Sequence, residues 1–247
     1  MRLIRRVTEP EVITAFLQAE FYEPDFDRDR VQFEQIVMHP DLSNRVENAI
    51  RRALLYRRRG HQMREIPPDT VWHEVQIEPE DLKRIRVFPR AHWRRLSKGT
   101  FRLENVVEYL RNNPEAAQSD AVIAKIHLLT QRLARERINI PILLIGVDEH
   151  SPLTIFEGNH RFTAGCLLDA TKVHETFRVI CGFSPHMTES CWYHTTAANL
   201  WRYVCNRVRH VYDHEADLNA ALRGLQKNDA PVERPLASAG ATRAELK

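Results

Sequence analysis

A continuous apolar run, Ile140 to Val147, is followed across a polar connection, Asp148 to Pro152, by a second apolar run that ends at Phe156. An unbroken apolar stretch without polar alternation fits a strand buried on both faces of a sheet. Two such runs joined by polar turn residues read as a hairpin. Beyond it, Phe162, Cys166 and Leu167 return at the spacing of one helix face. Strand, hairpin, strand and helix in succession place the chain among layered α/β or α+β folds.

The second run turns into the helix through Glu157-Gly158-Asn159-His160-Arg161. A helix start presents unpaired backbone N–H groups and the positive end of the helix dipole. Gly158 lets backbone approach a ligand closely, and His160 and Arg161 bring donors and charge. Acid, glycine, amide, imidazole and guanidinium at one such turn are the chemistry of a phosphate cradle. The same residues can serve structure alone: Glu157 as a helix cap, Arg161 paired with an acid such as Asp169, and His160 packed at the helix start.

Residues 1–66 read as a helical region. Val12, Ile13, Phe16 and Leu17 share a face within Glu9–Glu20. A second helix is expected over Asp29–Met38. A third runs from about Asn44 to Arg59 on the stripe Val46, Ile50, Ala53 and Leu54, with Asn44 and Glu47 as capping pair and Gly60 as the stop. Pro67-Pro68 marks a boundary. Residues 67–195 form the expected core: strands over Val71–Ile77, Arg86–Phe88, Ile140–Val147, Pro152–Phe156 and Phe177–Phe183, with helices over Glu80–Ile85, Leu103–Leu110 and Ala121–Arg137. Ser184–Cys191 reads as a loop. Within 196–225, a helix over Thr196–Tyr212 carries the stripe Ala197, Leu200, Trp201, Val204, Cys205, Val208 and Val211, expected to pack on the core. Residues 226–247, rich in alanine, proline and charge, read as a flexible tail.

The net charge of +3 argues against a uniformly basic nucleic-acid binder, yet seven arginines face one acid between Arg45 and Arg64. That stripe fits either a solvated helix face or contact with phosphates, an acidic partner or nucleic acid. No run approaches the length needed to span a bilayer. The opening residues carry no apolar stretch behind their arginines, so no secretion signal and a cytoplasmic location are expected. The four cysteines contain no CxxC pair and are expected as free thiols. Cys191 and His194 have CxxH spacing without a second pair to complete a zinc site. Neither HExxH, GxSxG nor a Walker-type loop occurs. Ser184 and His186, after the last strand, fit either a plain exposed turn or the border of a pocket where they would touch substrate. A homodimer is compatible with the sequence.

A strand ending in Gly158-x-x-Arg161-x-x-Ala164 at a helix start resembles the ParB/sulfiredoxin superfamily. The resemblance covers about residues 71–183. It implies a small mixed sheet with flanking helices and a nucleotide whose phosphates rest on this turn. Sulfiredoxin-like members carry a cysteine where this chain has Asn159. Members that segregate DNA carry a following helix-turn-helix, which the C-terminal pattern here does not show. Glu157-Gly158-Asn159-His160-Arg161 is most similar to the acid-Gly-x-His-Arg box of the serine-kinase-like members, with glutamate in place of the usual aspartate. The resemblance therefore implies ATP or another nucleotide, with Mg²⁺, in phosphoryl transfer to a small hydroxylated metabolite such as a free amino acid. Gly158, Asn159, His160, Arg161 and Thr163 would bind the nucleotide. Glu157 and His160 would be catalytic, and Glu157, with Asp148 as a second candidate, would hold the metal. The alternative is a nucleotide-gated DNA-binding or nuclease-type module using the arginine stripe.

Overall fold

A computed structural model describes residues 1–210, 217–219 and 221–223. Its centre is a six-stranded mixed sheet built from β1 (Arg2–Val7), β2 (Val71–Gln76), β3 (Ile85–Arg86), β4 (Ile142–Gly146), β5 (Leu153–Glu157) and β6 (Val179–Phe183). The spatial order is β1-β2-β6-β4-β5-β3. β4 runs parallel to β6 and antiparallel to β5. β2 is antiparallel to both neighbours, and β3 is parallel to β5. Ile142, Leu143, Leu144 and Ile145 are all fully buried. Successive residues of a strand point to opposite faces, so both faces of β4 are covered, as its unbroken apolar run requires. The mixed α and β class expected from the sequence is the one observed.

Helices α1 (Glu9–Glu20), α2 (Asp27–Met38) and α3 (Arg45–Met63) precede β2. Helices α4 (Ala91–Leu96), α5 (Leu103–Asn112) and α6 (Ala121–Leu133) separate β3 from β4. Helix α7 (Asn159–Asp169) and the single turn α8 (Val173–Thr176) lie between β5 and β6, and α9 (Ala197–His210) follows. Short 3-10 turns occupy Pro79–Arg84 and Pro185–Glu189, the first where a helix was expected and the second where a loop was. Phe16 of α1 meets Phe156 of β5 edge to face, with ring centroids 5.4 Å apart. The N-terminal helices are thereby packed against the strand that leads into the motif.

The N-terminal region is not all helical. Arg2–Val7 forms β1 and pairs with β2 at the sheet edge. Arg2-Leu3-Ile4-Arg5-Arg6-Val7 has no helical stripe, and only Val7 is buried, so backbone pairing rather than side-chain burial holds it. Thr8 then starts α1, its N–H and hydroxyl donating to the Glu11 carboxylate at 2.8 and 3.1 Å. Helix α3 does not stop at Gly60 but continues to Met63. Gly60, Gln62 and Met63 are buried, and that packing outweighs the roughly 1 kcal/mol that glycine costs inside a helix. Helix α4 was not anticipated: six residues are too few to display a period, and burial of Trp93 and Leu96 fixes it. Val211, Tyr212 and residues 226–247, for which a helix end and a flexible tail were expected, lie outside the described residues.

Candidate functional site

The turn from β5 into α7 is built around Gly158, whose φ of 96° lies in the left-handed region. A Cβ there would stand 2.6 Å from Ile142 Cδ1 and 3.2 Å from Arg161 Nη2. The position needs glycine both for its backbone and for the closeness of its neighbours. Phe162 N–H donates to Gly158 O at 2.8 Å, opening α7. Among the described residues no acceptor meets the backbone N–H groups of Asn159, His160 or Arg161, as expected for a first helical turn.

The side chains around this turn divide sharply in what they do. Arg161 donates to Ile140 O at 2.5 Å, Pro141 O at 3.2 Å and Glu157 Oε1 at 3.3 Å. Its guanidinium was expected on phosphate oxygens; it instead ties α7 to the entry of β4. The acid it meets is Glu157, four residues back, not Asp169. Asn159 Oδ1 accepts from Phe88 N at 2.8 Å, and its amide donates to Ile155 O at 3.3 Å. It thus fastens the start of α7 to the segment after β3, although binding the nucleotide was its expected role. Thr163 is fully buried, its hydroxyl without a hydrogen-bond partner among the described residues, and lies beneath the first turn.

Glu157 and His160 are perturbed in opposite senses. Burial pushes the Glu157 carboxyl up to about 7, the nearby charge of Glu20 adding to the effect and Arg161 opposing it. Burial pulls His160 down to about 4, helped by Lys125, His92 and Arg90 and opposed by Glu23. Both shifts favour the neutral form, the expected outcome of desolvation. The His160 ring lies 5.2 Å from that of Trp93 on α4. His92, also on α4, encloses an Nε2 atom without a hydrogen-bond partner among the described residues. Lys125 reaches over from α6 and pairs with Glu23 at 2.9 Å. Arg90, His92 and Lys125 thus act electrostatically on His160 at the start of α7, and none was anticipated. Arg90 and His92 come from the start of α4 and Lys125 from α6, so only tertiary packing relates them to the motif.

The expected magnesium ligands do not converge. Asp148 Oδ1 accepts from the N–H groups of His150 and Ser151 at 2.8 and 2.7 Å, inside the hairpin. That hairpin precedes β5, whereas Glu157 ends it, which separates the two acids by the length of the strand, roughly 13 Å at the usual rise. Glu157 is enclosed, raised in pKa and bound to Arg161. Neither acid is suited to a divalent cation, and no cluster of three or more candidate ligands occurs among the described residues.

The arginine stripe serves the N-terminal helices themselves. Arg51, expected on an outer face, is fully buried. Its guanidinium donates to Ile36 O and Asp41 O at 2.8 Å each, to Asn48 Oδ1 at 2.6 Å and to Glu47 at 3.1 Å. Arg52 pairs with Glu9, Arg57 with Asp29, and Arg59 with Glu20 and Asp25. At the other end of the sheet, after β6, Ser184 and His186 join Asp69. Ser184 Oγ donates to Asp69 Oδ1 at 2.7 Å, and His186 Nδ1 lies 2.8 Å from Asp69 Oδ2. These contacts hold Asp69 below its ordinary pKa and raise His186. Cys191 is buried, with its thiol pushed up by that burial. No helix among the described residues is long and apolar enough to cross a membrane. No family model matches the sequence, and neither the curated proteins nor the solved structures contain a match to it.

Proposed function

We propose that the start of α7 holds the phosphate groups of a nucleotide, and that the protein transfers a phosphoryl group to a small hydroxylated metabolite. The observation that carries this reading is the set of unanswered N–H groups of Asn159, His160 and Arg161 at the start of α7, beside a His160 that burial keeps neutral and that feels the positive charge of Lys125 and Arg90 against the negative charge of Glu23. Backbone donors, a helix dipole and nearby cations together favour an anion. The resemblance of the Glu157–Arg161 box to serine-kinase-like members of the ParB/sulfiredoxin superfamily supports the nucleotide and the hydroxyl acceptor.

In this reading His160 donates a hydrogen bond to the terminal phosphate. Lys125 and Arg90 neutralise its charge, and Arg161 holds the turn in shape through Ile140 and Pro141. Glu157, its carboxyl raised to about 7 by burial, takes the proton of the acceptor hydroxyl once that hydroxyl displaces its contact with Arg161, since a base works best when its pKa lies near the operating pH. No step is assigned to Mg²⁺, because Glu157 and Asp148 do not form a site for it.

A thermal-shift series with ATP, ADP, CTP and GTP tests the binding. At least one should raise the melting point, and the effect should shrink in Lys125→Ala and His160→Asn. A bound phosphate should also raise the His160 pKa, read from its ring proton shifts. Labelled ATP with a panel of hydroxy amino acids then tests transfer. A melting point indifferent to millimolar nucleotide, with an unchanged His160 titration, would remove the proposal.

A further inference from the structure

Helix α9 is attached the wrong way round for an ordinary amphipathic helix. The stripe expected to face the core faces outward: Leu200, Trp201, Val204 and Val208 are 47%, 70%, 48% and 60% exposed. The inward side is polar. Asn199 is buried and donates to Thr188 O at 2.9 Å and His194 O at 2.6 Å. Asn206 donates to the buried Glu65 at 2.7 Å. Tyr203 packs against Trp192, with ring centroids 4.8 Å apart. Hydrogen bonds from one polar face thus hold the helix, and its apolar face stays exposed, without a partner among the described residues.

At about 100° per residue, Leu200, Val204, Ala197, Val208 and Trp201 fall within one arc of about 100°. Arg207 borders one side of the arc; on the other, Arg209 lies beyond Cys205 and Ala198, with Arg202 next to it and paired with Glu189 at 2.7 Å. No acid occurs from Ala197 to His210. Ala197, Trp201, Val204 and Val208 are spaced four, three and four residues apart, the spacing with which one helix seats its side chains into another. An unsatisfied apolar seam edged by one sign of charge marks an interaction surface whose partner carries the other sign.

The geometry points to α9 as the docking surface for an acidic amphipathic helix of a partner protein, seated on Trp201, Val204 and Val208 with its carboxylates against Arg207 and Arg209. A second copy of α9 brings only further arginines to the same edges. The chain's own residues 224–247 carry Pro231 and Pro235 and lack an apolar seam. A lipid surface would accept the charge but has no use for the heptad spacing.

Trp201 supplies the signal, because Trp72, Trp93 and Trp192 are buried. The probe is a synthetic peptide of about three heptads with leucine at the two seam positions and glutamate beside them, compared with a lysine-flanked counterpart. The full chain should show a saturable blue shift of Trp201 emission with the glutamate peptide. Binding should be at least about tenfold tighter than for the lysine peptide and should weaken with salt. Val204→Asp should lose about tenfold or more while keeping the wild-type circular dichroism and melting point, since the side chain is half exposed. Arg207→Glu should shift preference toward the lysine peptide, a reversal that a merely structural arginine would not produce. Equal binding of both peptides, or of neither, overturns the proposal. So does a Trp201 shift with phosphatidylglycerol vesicles but not with peptide, which would assign the face to a membrane. A micromolar dimer dispersed by Val204→Asp would assign it to a second copy and equally overturn it.

Discussion

Gly158 sets the conformation on which the whole turn depends. With φ at 96°, an L-residue pays roughly 1–2 kcal/mol. The added Cβ would also press on Ile142 Cδ1 at 2.6 Å. Gly158→Ala should therefore lower stability by about 2 kcal/mol in urea unfolding; a loss under about 0.5 kcal/mol would show that the turn relaxes without cost. Glu157 and His160 provide a second test through pH. Glu157 has a folded pKa raised from 4.5 to about 7, so its contribution is full below 4.5 and is lost as pH rises through about 7. His160 has a folded pKa lowered from 6.5 to about 4, so its contribution is full above 6.5 and is lost as pH falls through about 4. Between pH 4.5 and 6.5 the two slopes oppose each other. His160→Asn removes one of them, and relative to wild type the variant should lose stability with rising pH, by up to roughly 1.4 kcal/mol per pH unit in that window. Urea midpoints that run parallel for the two proteins across it would refute the assignment. The position of these residues at a strand-to-helix turn was legible from the apolar run and Gly158. The partners of Arg161 were not, because Ile140 and Pro141 reach it only once β4 and β5 have paired in register.

At the scale of the element, α3 shows how a charge pattern misleads. Its apolar stripe correctly marked Ile50, Ala53 and Leu54 as core, and Asn44 caps it by accepting from Val46 N and Glu47 N at 3.0 and 3.2 Å. Arg51 looked like a surface arginine because burying a guanidinium is costly. It is buried because Ile36, Asp41, Asn48 and Glu47 supply four acceptors around it, and two of those are backbone carbonyls that no side-chain pattern reveals. Arg51→Leu should cost about 3 kcal/mol, since it strands a carboxylate and two carbonyls. Arg51→Lys should recover little, because a single ammonium cannot reproduce the guanidinium fork. Denaturant titration checks both, and a near-neutral Arg51→Leu would mean that solvent answers those acceptors. Helix α9 errs in the other direction: its stripe was read accurately as apolar, but periodicity alone does not say which side of a helix faces the protein. Asn199 and Asn206 decide that by hydrogen bonding to groups distant in sequence, at Thr188 and Glu65.

At the scale of the molecule, the N-terminal helices and the sheet share one body of apolar side chains. A single cluster of buried residues runs from Val7, Phe16 and Leu17 through Ile50 and Leu54 to Ile142, Phe156 and Phe162. β1 completes the same sheet from the far end of the sequence. The contact of Phe16 with Phe156 lies one residue before Glu157, so the packing of α1 and the enclosure of the motif are one physical fact. Unfolding α1 would expose Phe156 and hydrate Glu157, whose raised pKa depends on burial. Phe16→Ala should accordingly destabilise by about 3–5 kcal/mol. It should also lower the Glu157 pKa toward 4.5, because the cavity admits water beside the carboxyl. Far-ultraviolet circular dichroism and the fluorescence of the buried tryptophans should report the same midpoint for the variant and for wild type, as a cooperative core requires. Two separated transitions, with only the helical signal displaced by Phe16→Ala, would show that the N-terminal helices fold apart from the sheet and that the enclosure of Glu157 is set by β5 and α7 alone.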